Sequence, residues 1–210
     1  MKYLTVSRFS ILVFCVSVNI SALAQEIKMS KENSLTEEEI AEAEENLDLE
    51  EVSKIFGESS DLEDFEKRLN DHENEISNLD LNEDGEVDYL RVIEKVDGNT
   101  RNIYVQAVLA EDSFKTVASL VVVKDTNNEV SVKVIGDKTI YGSNYVIVPA
   151  FRRVPVVVTR IWSPGYRVWV SPYRYGHYPS YYKRRTVRRR AAVRRAPARR
   201  ARKRTIIIKN

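Results

Sequence analysis

The chain has 210 residues, 43% of them apolar and 30% charged, and its 33 Lys and Arg against 31 Asp and Glu leave a formal net charge of only +2. That length holds one modest domain with tails and excludes a large two-domain enzyme. The small net charge conceals an asymmetry: residues 25–98 carry 26 acids and 7 bases, residues 99–138 carry five of each, and residues 139–210 carry 19 bases and no acid. A chain acidic first and basic last points to a basic tail with polyanionic or internal partners rather than to an evenly solvated surface.

Lys2 and Arg8 precede an apolar run from Phe9 to Ile20, and the small residues Ala22 and Ala24 stand before Gln25. This is the pattern of a secretory signal peptide over residues 1–24. The run is too short to cross a bilayer, which needs roughly 20 apolar residues. Cys15 follows Phe14 inside the run, whereas a lipid anchor requires a Cys directly after a small residue. Cleavage before Gln25 removes this single cysteine, so neither disulfides nor thiolate chemistry serve the mature protein. The expected location is exported, periplasmic or extracellular at the cell envelope, with no transmembrane helix left after cleavage.

Residues 25–47 form an acidic N-terminal segment. Thr36 with Glu39 is a capping-box pair, and Ile40, Ala43 and Leu47 follow at helical spacing. The Glu residues around them read either as a solvated face or as an acidic binding arm, and this first helix is expected to be partly detached. Asp48 with Glu51 opens a second helix striped by Leu49, Val52 and Phe56 and closed by Gly57 as a left-handed end. Ser60 with Glu63 opens a third, with Leu62, Phe65 and Leu69 on one face. Stripes this thin cannot stand alone, so the second and third helices are expected to lie on a sheet.

From Glu86 to Gly136 the apolar period becomes two. Leu90, Val92 and Val96 share one side of a strand, Ile103, Val105, Ala107 and Leu109 one side of the next, and Val130, Val132 and Val134 one side of the last. Ala118 to Val123 is apolar apart from Ser119, and reads as a strand covered on both faces. Asp97-Gly98-Asn99 and Asp125 to Asn128 are turn chemistry for antiparallel hairpins, and Ala110 to Thr116 reads as a longer link with a helical turn. The expectation for residues 48–150 is an α+β domain in which short acidic helices precede a small antiparallel sheet of four to five strands, the fifth at Tyr145 to Val148. A disordered basic tail follows.

Between helix and sheet, Asp80, Asn82, Asp84, Glu86 and Asp88 place oxygen donors at alternate positions around Gly85. Such a loop can wrap a hard cation, and calcium suits it: side chains of Asp80, Asn82 and Asp84, the Glu86 carbonyl, and Asp88 directly or through water. An EF-hand needs a bidentate Glu at the twelfth position, which here is Arg91. The D-x-N-x-D-G-x-x-D pattern instead resembles the calcium loops of FG-GAP-type β-repeats. The alternative is an Asp/Gly turn that holds no ion. The stretch Asn78 to Val92, the strand at Gln106-Ala107-Val108 and the segment from Val134 to Gly142 together resemble a group of exported Bacteroidota proteins of unknown function. That resemblance covers roughly residues 60–150. It implies an envelope or secreted location and a shared α+β unit, with no activity attached to any residue.

Residues 145–161 are strand-like but interrupted by Pro149 and Pro155, so edge strands or an extended arm are expected. The aromatic, Pro-rich extension over 151–182 holds Trp162, Trp169 and six tyrosines from Tyr166 to Tyr182. Beside Arg167 and Arg174 these rings could stack on sugars or bases or sit at a membrane interface, or the segment could be a low-complexity spacer. Residues 183–210 are an arginine-rich tail whose Lys183, Arg184, Arg185, Arg188, Arg189, Arg190, Arg194, Arg195, Arg199, Arg200, Arg202, Lys203 and Arg204 form a candidate polyanion-binding set. In an exported protein the partners would be anionic lipid headgroups in a peripheral membrane contact, lipopolysaccharide, acidic glycan, or nucleic acid only if extracellular. Pairing with the acidic section of the same chain and a passive solvated tail are the alternatives.

No H-E-x-x-H, G-x-S-x-G or glycine-rich phosphate loop occurs, and the two histidines, His72 and His177, read as surface residues. The sequence thus points to an exported, non-catalytic envelope protein. A module that binds proteins through its sheet edge, or an envelope glycan-acting enzyme built on a carboxylate pair, are the competing classes.

Overall fold

A computed structural model of the chain describes residues 36–188; the segment expected to be a signal peptide, the start of the acidic segment and the tail from Arg189 onward lie outside them. Three helices come first: α1 Glu37–Asn46, α2 Leu49–Glu58 and α3 Leu62–Leu69. Thr36 opens α1 with the full reciprocal capping box, and Asp48 caps α2 by accepting from Glu50 N–H at 2.8 Å. The cap of α3 is Asp61 rather than Ser60, accepting from Asp64 N–H at 2.8 Å. Gly57 lies inside α2 and is not left-handed: a Cβ there would meet Phe151 Cε1 at 2.5 Å, so the residue is small to let that ring approach.

The sheet follows the chain in the order β1 Leu90–Asp97, β2 Thr100–Ala110, β3 Ser113–Lys124, β4 Val130–Gly136 and β5 Val146–Ile147, antiparallel throughout. The α+β architecture is therefore the observed one. The link between β2 and β3 is a two-residue turn at Glu111 and Asp112, not a helical passage, with Ala110 facing Ser113 and Asp112 at φ 54°. Ladder pairing carries both strands up to this turn, with register shifts between Val105 and Gln106 and between Val108 and Ala110, and leaves no room for a helical turn.

Leu90, Val92, Ile103, Val105, Leu120, Val122, Val132 and Val134 turn one face of the sheet inward onto Leu49, Val52, Phe56, Leu62, Phe65 and Leu69 of the helices. Phe56 and Phe65 meet edge to face at 5.4 Å, an aromatic geometry that adds to simple burial. Asn70, just past α3, bonds both backbone groups of Leu90, accepting its N–H at 2.8 Å and donating to its carbonyl at 2.7 Å. That two-pronged contact locks the helix end to the start of β1. A short helix α4, Lys138–Tyr141, then leads to β5.

Two expectations fail for tertiary reasons. The first helix is not detached: Leu47 is fully buried, Tyr141 donates to its carbonyl at 2.7 Å, and Tyr145 donates to Glu44 at 2.7 Å. Nor is Val154 to Ile161 strand-like. Val156–Ile161 forms helix α5 behind Pro155 and buries Val157, Val158 and Ile161 beside α2, with Val157 N–H on the Ser59 carbonyl at 3.2 Å. Their i, i+1, i+4 spacing gives a one-sided helical face, and burying that face overrides the strand preference of β-branched residues.

Candidate functional site

The aromatic extension does not hang off the domain as a spacer; it is bolted to α3 and β1 through two buried glutamates. Glu66 projects from α3 and is 1% exposed, and Glu94 projects from the inner face of β1 and is 2% exposed. Glu66 accepts from Ser171 Oγ at 2.7 Å, Tyr89 OH at 2.8 Å, Val92 N–H at 2.9 Å and Trp169 Nε1–H at 3.2 Å. Burial pushes its carboxyl above the ordinary range, and these donors pull in the opposite direction. Glu94 accepts from Tyr166 OH at 2.7 Å, Arg101 at 3.0 Å and Trp169 N–H at 3.1 Å. Arg101 in turn lies over the rings of Trp162, at 4.6 Å, and Tyr166, at 5.4 Å.

Backbone pairing completes the junction. Glu94 N–H donates to the Trp169 carbonyl at 2.8 Å and Ser171 N–H to the Val92 carbonyl at 3.0 Å, so Val170 pairs with Ile93 as a short added strand. This covers part of the β1 edge that a docking partner would have used. Farther on, Tyr173, Tyr178 and Tyr182 gather around the buried Tyr89 with ring centroids 4.9–5.9 Å away. Desolvation and the neighbouring Glu66 hold the Tyr89 hydroxyl far above its usual range, so it stays a donor. Both glutamates could have been noticed in the sequence, since Glu66 stands four residues after Leu62 and Glu94 alternates with Val92 and Val96. Each puts a charge on a face otherwise read as apolar.

The candidate ion loop lies at the far end of this extension. Asp80 accepts from Asp84 and Gly85 N–H at 3.1 and 3.0 Å, Asn82 from Asp84 N–H at 3.2 Å, Asp84 from Glu86 N–H at 2.8 Å, and Asp88 from Leu81 N–H at 2.7 Å. Gly85, at φ 85°, makes the sharp turn. Burial pushes the Asp88 carboxyl up to about 6, with Asp80 and Asp84 adding to the rise. The donors are all oxygen and suit calcium chemically. Among the described residues, however, no three His, Cys, Asp or Glu side chains are grouped as a metal ion would need. Arg91 turns away from the loop, donating to Gln106 and stacking on Phe114 at 3.2 Å.

The start of the arginine-rich tail returns to this same loop. Val87 N–H donates to the Arg185 carbonyl at 2.8 Å and Val187 N–H to the Gly85 carbonyl at 3.0 Å, pairing Thr186 with Glu86. Arg184 donates to Glu86 at 2.7 Å, Arg188 pairs with Glu75, and Arg185 donates to the Ser77 carbonyl. Lys183 is exposed beside them. Arg189, Arg190, Arg194, Arg195, Arg199, Arg200, Arg202, Lys203 and Arg204 lie outside the described residues. His72 and His177 are both exposed, and neither Glu66 nor Glu94 lines the small cavity at the loop or the larger groove near α5. Among the described residues no helix is long and apolar enough to cross a membrane. No protein-family model, no curated protein and no solved structure matches the chain.

Proposed function

We propose that this is an exported, non-catalytic envelope protein in which a rigid α+β unit anchors an arginine-rich arm and offers that arm to polyanions. The carrying observation is the anchored root. Arg184, Arg185 and Arg188 are consumed in contacts with Glu86, Ser77 and Glu75, and two backbone hydrogen bonds fix the chain direction there. The polyanion set holds ten further bases, Lys183 and those from Arg189 to Arg204. A fixed root keeps such an arm at a defined place on the surface. Each Lys or Arg gains roughly 1 kcal/mol at an anionic membrane surface, so ten suffice for salt-sensitive adhesion. The two buried glutamates support the non-catalytic reading, because their oxygens are spent holding the extension.

The test compares the full chain with one ending at Arg188, which keeps every described contact. Binding to phosphatidylglycerol vesicles, lipopolysaccharide and duplex DNA is measured across salt. The full chain should bind with steep salt dependence and the shortened one should not; equal binding by both sinks the proposal. Calcium bracing of the loop at Asp80, Asn82, Asp84, Glu86 and Asp88 is a second reading, favoured by the oxygen donors set at alternate positions around Gly85. Calorimetry should then give a calcium heat that Asp84→Ala abolishes, and no heat with the intact chain ends that reading.

A further inference from the structure

A groove of about 440 Å³ lies between the first turn of α3 and the turn that follows α5. That volume is in the range of sites for small organic ligands, roughly 300–1,000 Å³. Tyr166 and Trp169 form part of its lining, and both are half-buried. Their polar atoms are engaged elsewhere: the Tyr166 hydroxyl on Glu94 and the Trp169 indole N–H on Glu66, the two most deeply buried acids of the fold. The rings are therefore held in place before any ligand arrives, which lowers the ordering cost of binding. Arg101 already lies over the Tyr166 ring at 5.4 Å, and what the two rings have left to offer the groove is apolar surface.

The polar part of the lining is balanced in charge. Arg160 and Asp61 stand 3.7 Å apart, and Glu63 and Arg167 complete two cations against two anions. Arg167 is exposed and makes no ion pair or hydrogen bond among the described residues. A groove with no net charge does not collect polyanions, in contrast to the C-terminal arm. Flat apolar rings beside guanidinium donors and carboxylate acceptors match a neutral polyhydroxylated ring compound. Its C–H face can lie on an aromatic ring while adjacent hydroxyls take paired hydrogen bonds from a guanidinium or give them to a carboxylate.

We propose that this groove is a binding site for a neutral saccharide, with Tyr166 and Trp169 as the stacking platform and Arg167 and Glu63 as the hydroxyl-reading groups. The site is independent of the arm, and the ligand's lack of charge separates the two experimentally. Tryptophan emission of the full chain is followed while cellobiose, lactose or diacetylchitobiose is added to millimolar concentration. At least one should give a saturable change whose Kd is indifferent to salt. Arg167→Ala should raise that Kd about tenfold, or ~1.4 kcal/mol, while the urea midpoint stays put, because Arg167 holds nothing else together. Glu63→Ala should act in the same direction. The absence of a saturable change with all three sugars overturns the proposal. So does an unchanged Kd in Arg167→Ala, or a Kd that weakens steeply with salt in the manner of charge-driven binding to the arm.

Discussion

Replacing Glu66 tests whether the aromatic extension is held by a buried acceptor or by packing alone. Its four donors divide unequally: Tyr89 and Ser171 approach one carboxylate oxygen, and Val92 N–H and Trp169 Nε1–H approach the other. The hydroxyls of Tyr89 and Ser171 can rotate and become acceptors, but the backbone amide and the indole N–H cannot. Glu66→Gln can therefore set its carbonyl toward Val92 and Trp169 and its NH2 toward the hydroxyls. It loses charge assistance but no longer buries a charge, so the cost should be below about 2 kcal/mol. Glu66→Ala strands two donors that have no way to turn, at roughly 1–3 kcal/mol each, and opens a cavity as well, for about 3–6 kcal/mol. That is a large part of the ~5–15 kcal/mol typical of a domain. Urea unfolding of both variants, read by tryptophan emission, measures the difference. Equal destabilisation by Gln and Ala, or an Ala cost below about 1 kcal/mol, refutes the reasoning.

The same residue sets a pH dependence. Because the folded carboxyl lies above its ordinary 4.5, the native state holds the extra proton as pH rises past that value, so this group's contribution to stability falls through the window up to the raised folded value. Subtracting Glu66→Gln urea midpoints from those of the parent across that window should reveal the decline, and a flat difference speaks against it. Gly57→Ala should destabilise by about 1–2 kcal/mol: the clash with Phe151 outweighs roughly 1 kcal/mol of better helix propensity. A rise in thermal midpoint would contradict that, and Phe151→Leu in the same chain should relieve the loss. Glu75→Gln removes the partner of Arg188 and Arg185. It should quicken trypsin cleavage between Arg184 and Arg188 while changing global stability by less than about 1 kcal/mol, as exposed ion pairs do; an unchanged cleavage rate would show that the arm's root does not depend on it.

Local signals were strong enough to be read directly from the residues. The alternation in β1, β2 and β4, the turns at Gly98 and Asp125, and the capping box at Thr36 each express an interaction between near neighbours and recur in the fold, except that Val96 at the end of β1 is exposed rather than turned inward with Leu90 and Val92. The apolar run of β3 is legible for the same reason, but the strand is covered on one face rather than both: Ala118, Leu120 and Val122 are buried, whereas Ser119, Val121 and Val123 are only half-buried. What misled was composition standing in for position. The β-branching of Val154 to Ile161 favours strand, yet Val156–Ile161 is a helix because its apolar face packs against α2. The tyrosine-rich extension has no periodicity of its own because its partners are Glu66, Tyr89 and Glu94, which lie about 70 to 105 residues earlier in the chain.

The charge asymmetry, the acidic helices before a sheet and the basic tail after it belong to the sequence alone, since they are sums and short-range patterns. Which acids are buried, which arginines are bound and where a groove opens belong to the tertiary structure. A carboxylate on an apolar face becomes an anchor only when distant donors converge on it. An arginine becomes a root rather than a ligand-binding group only when the fold returns it to Glu86 or Glu75.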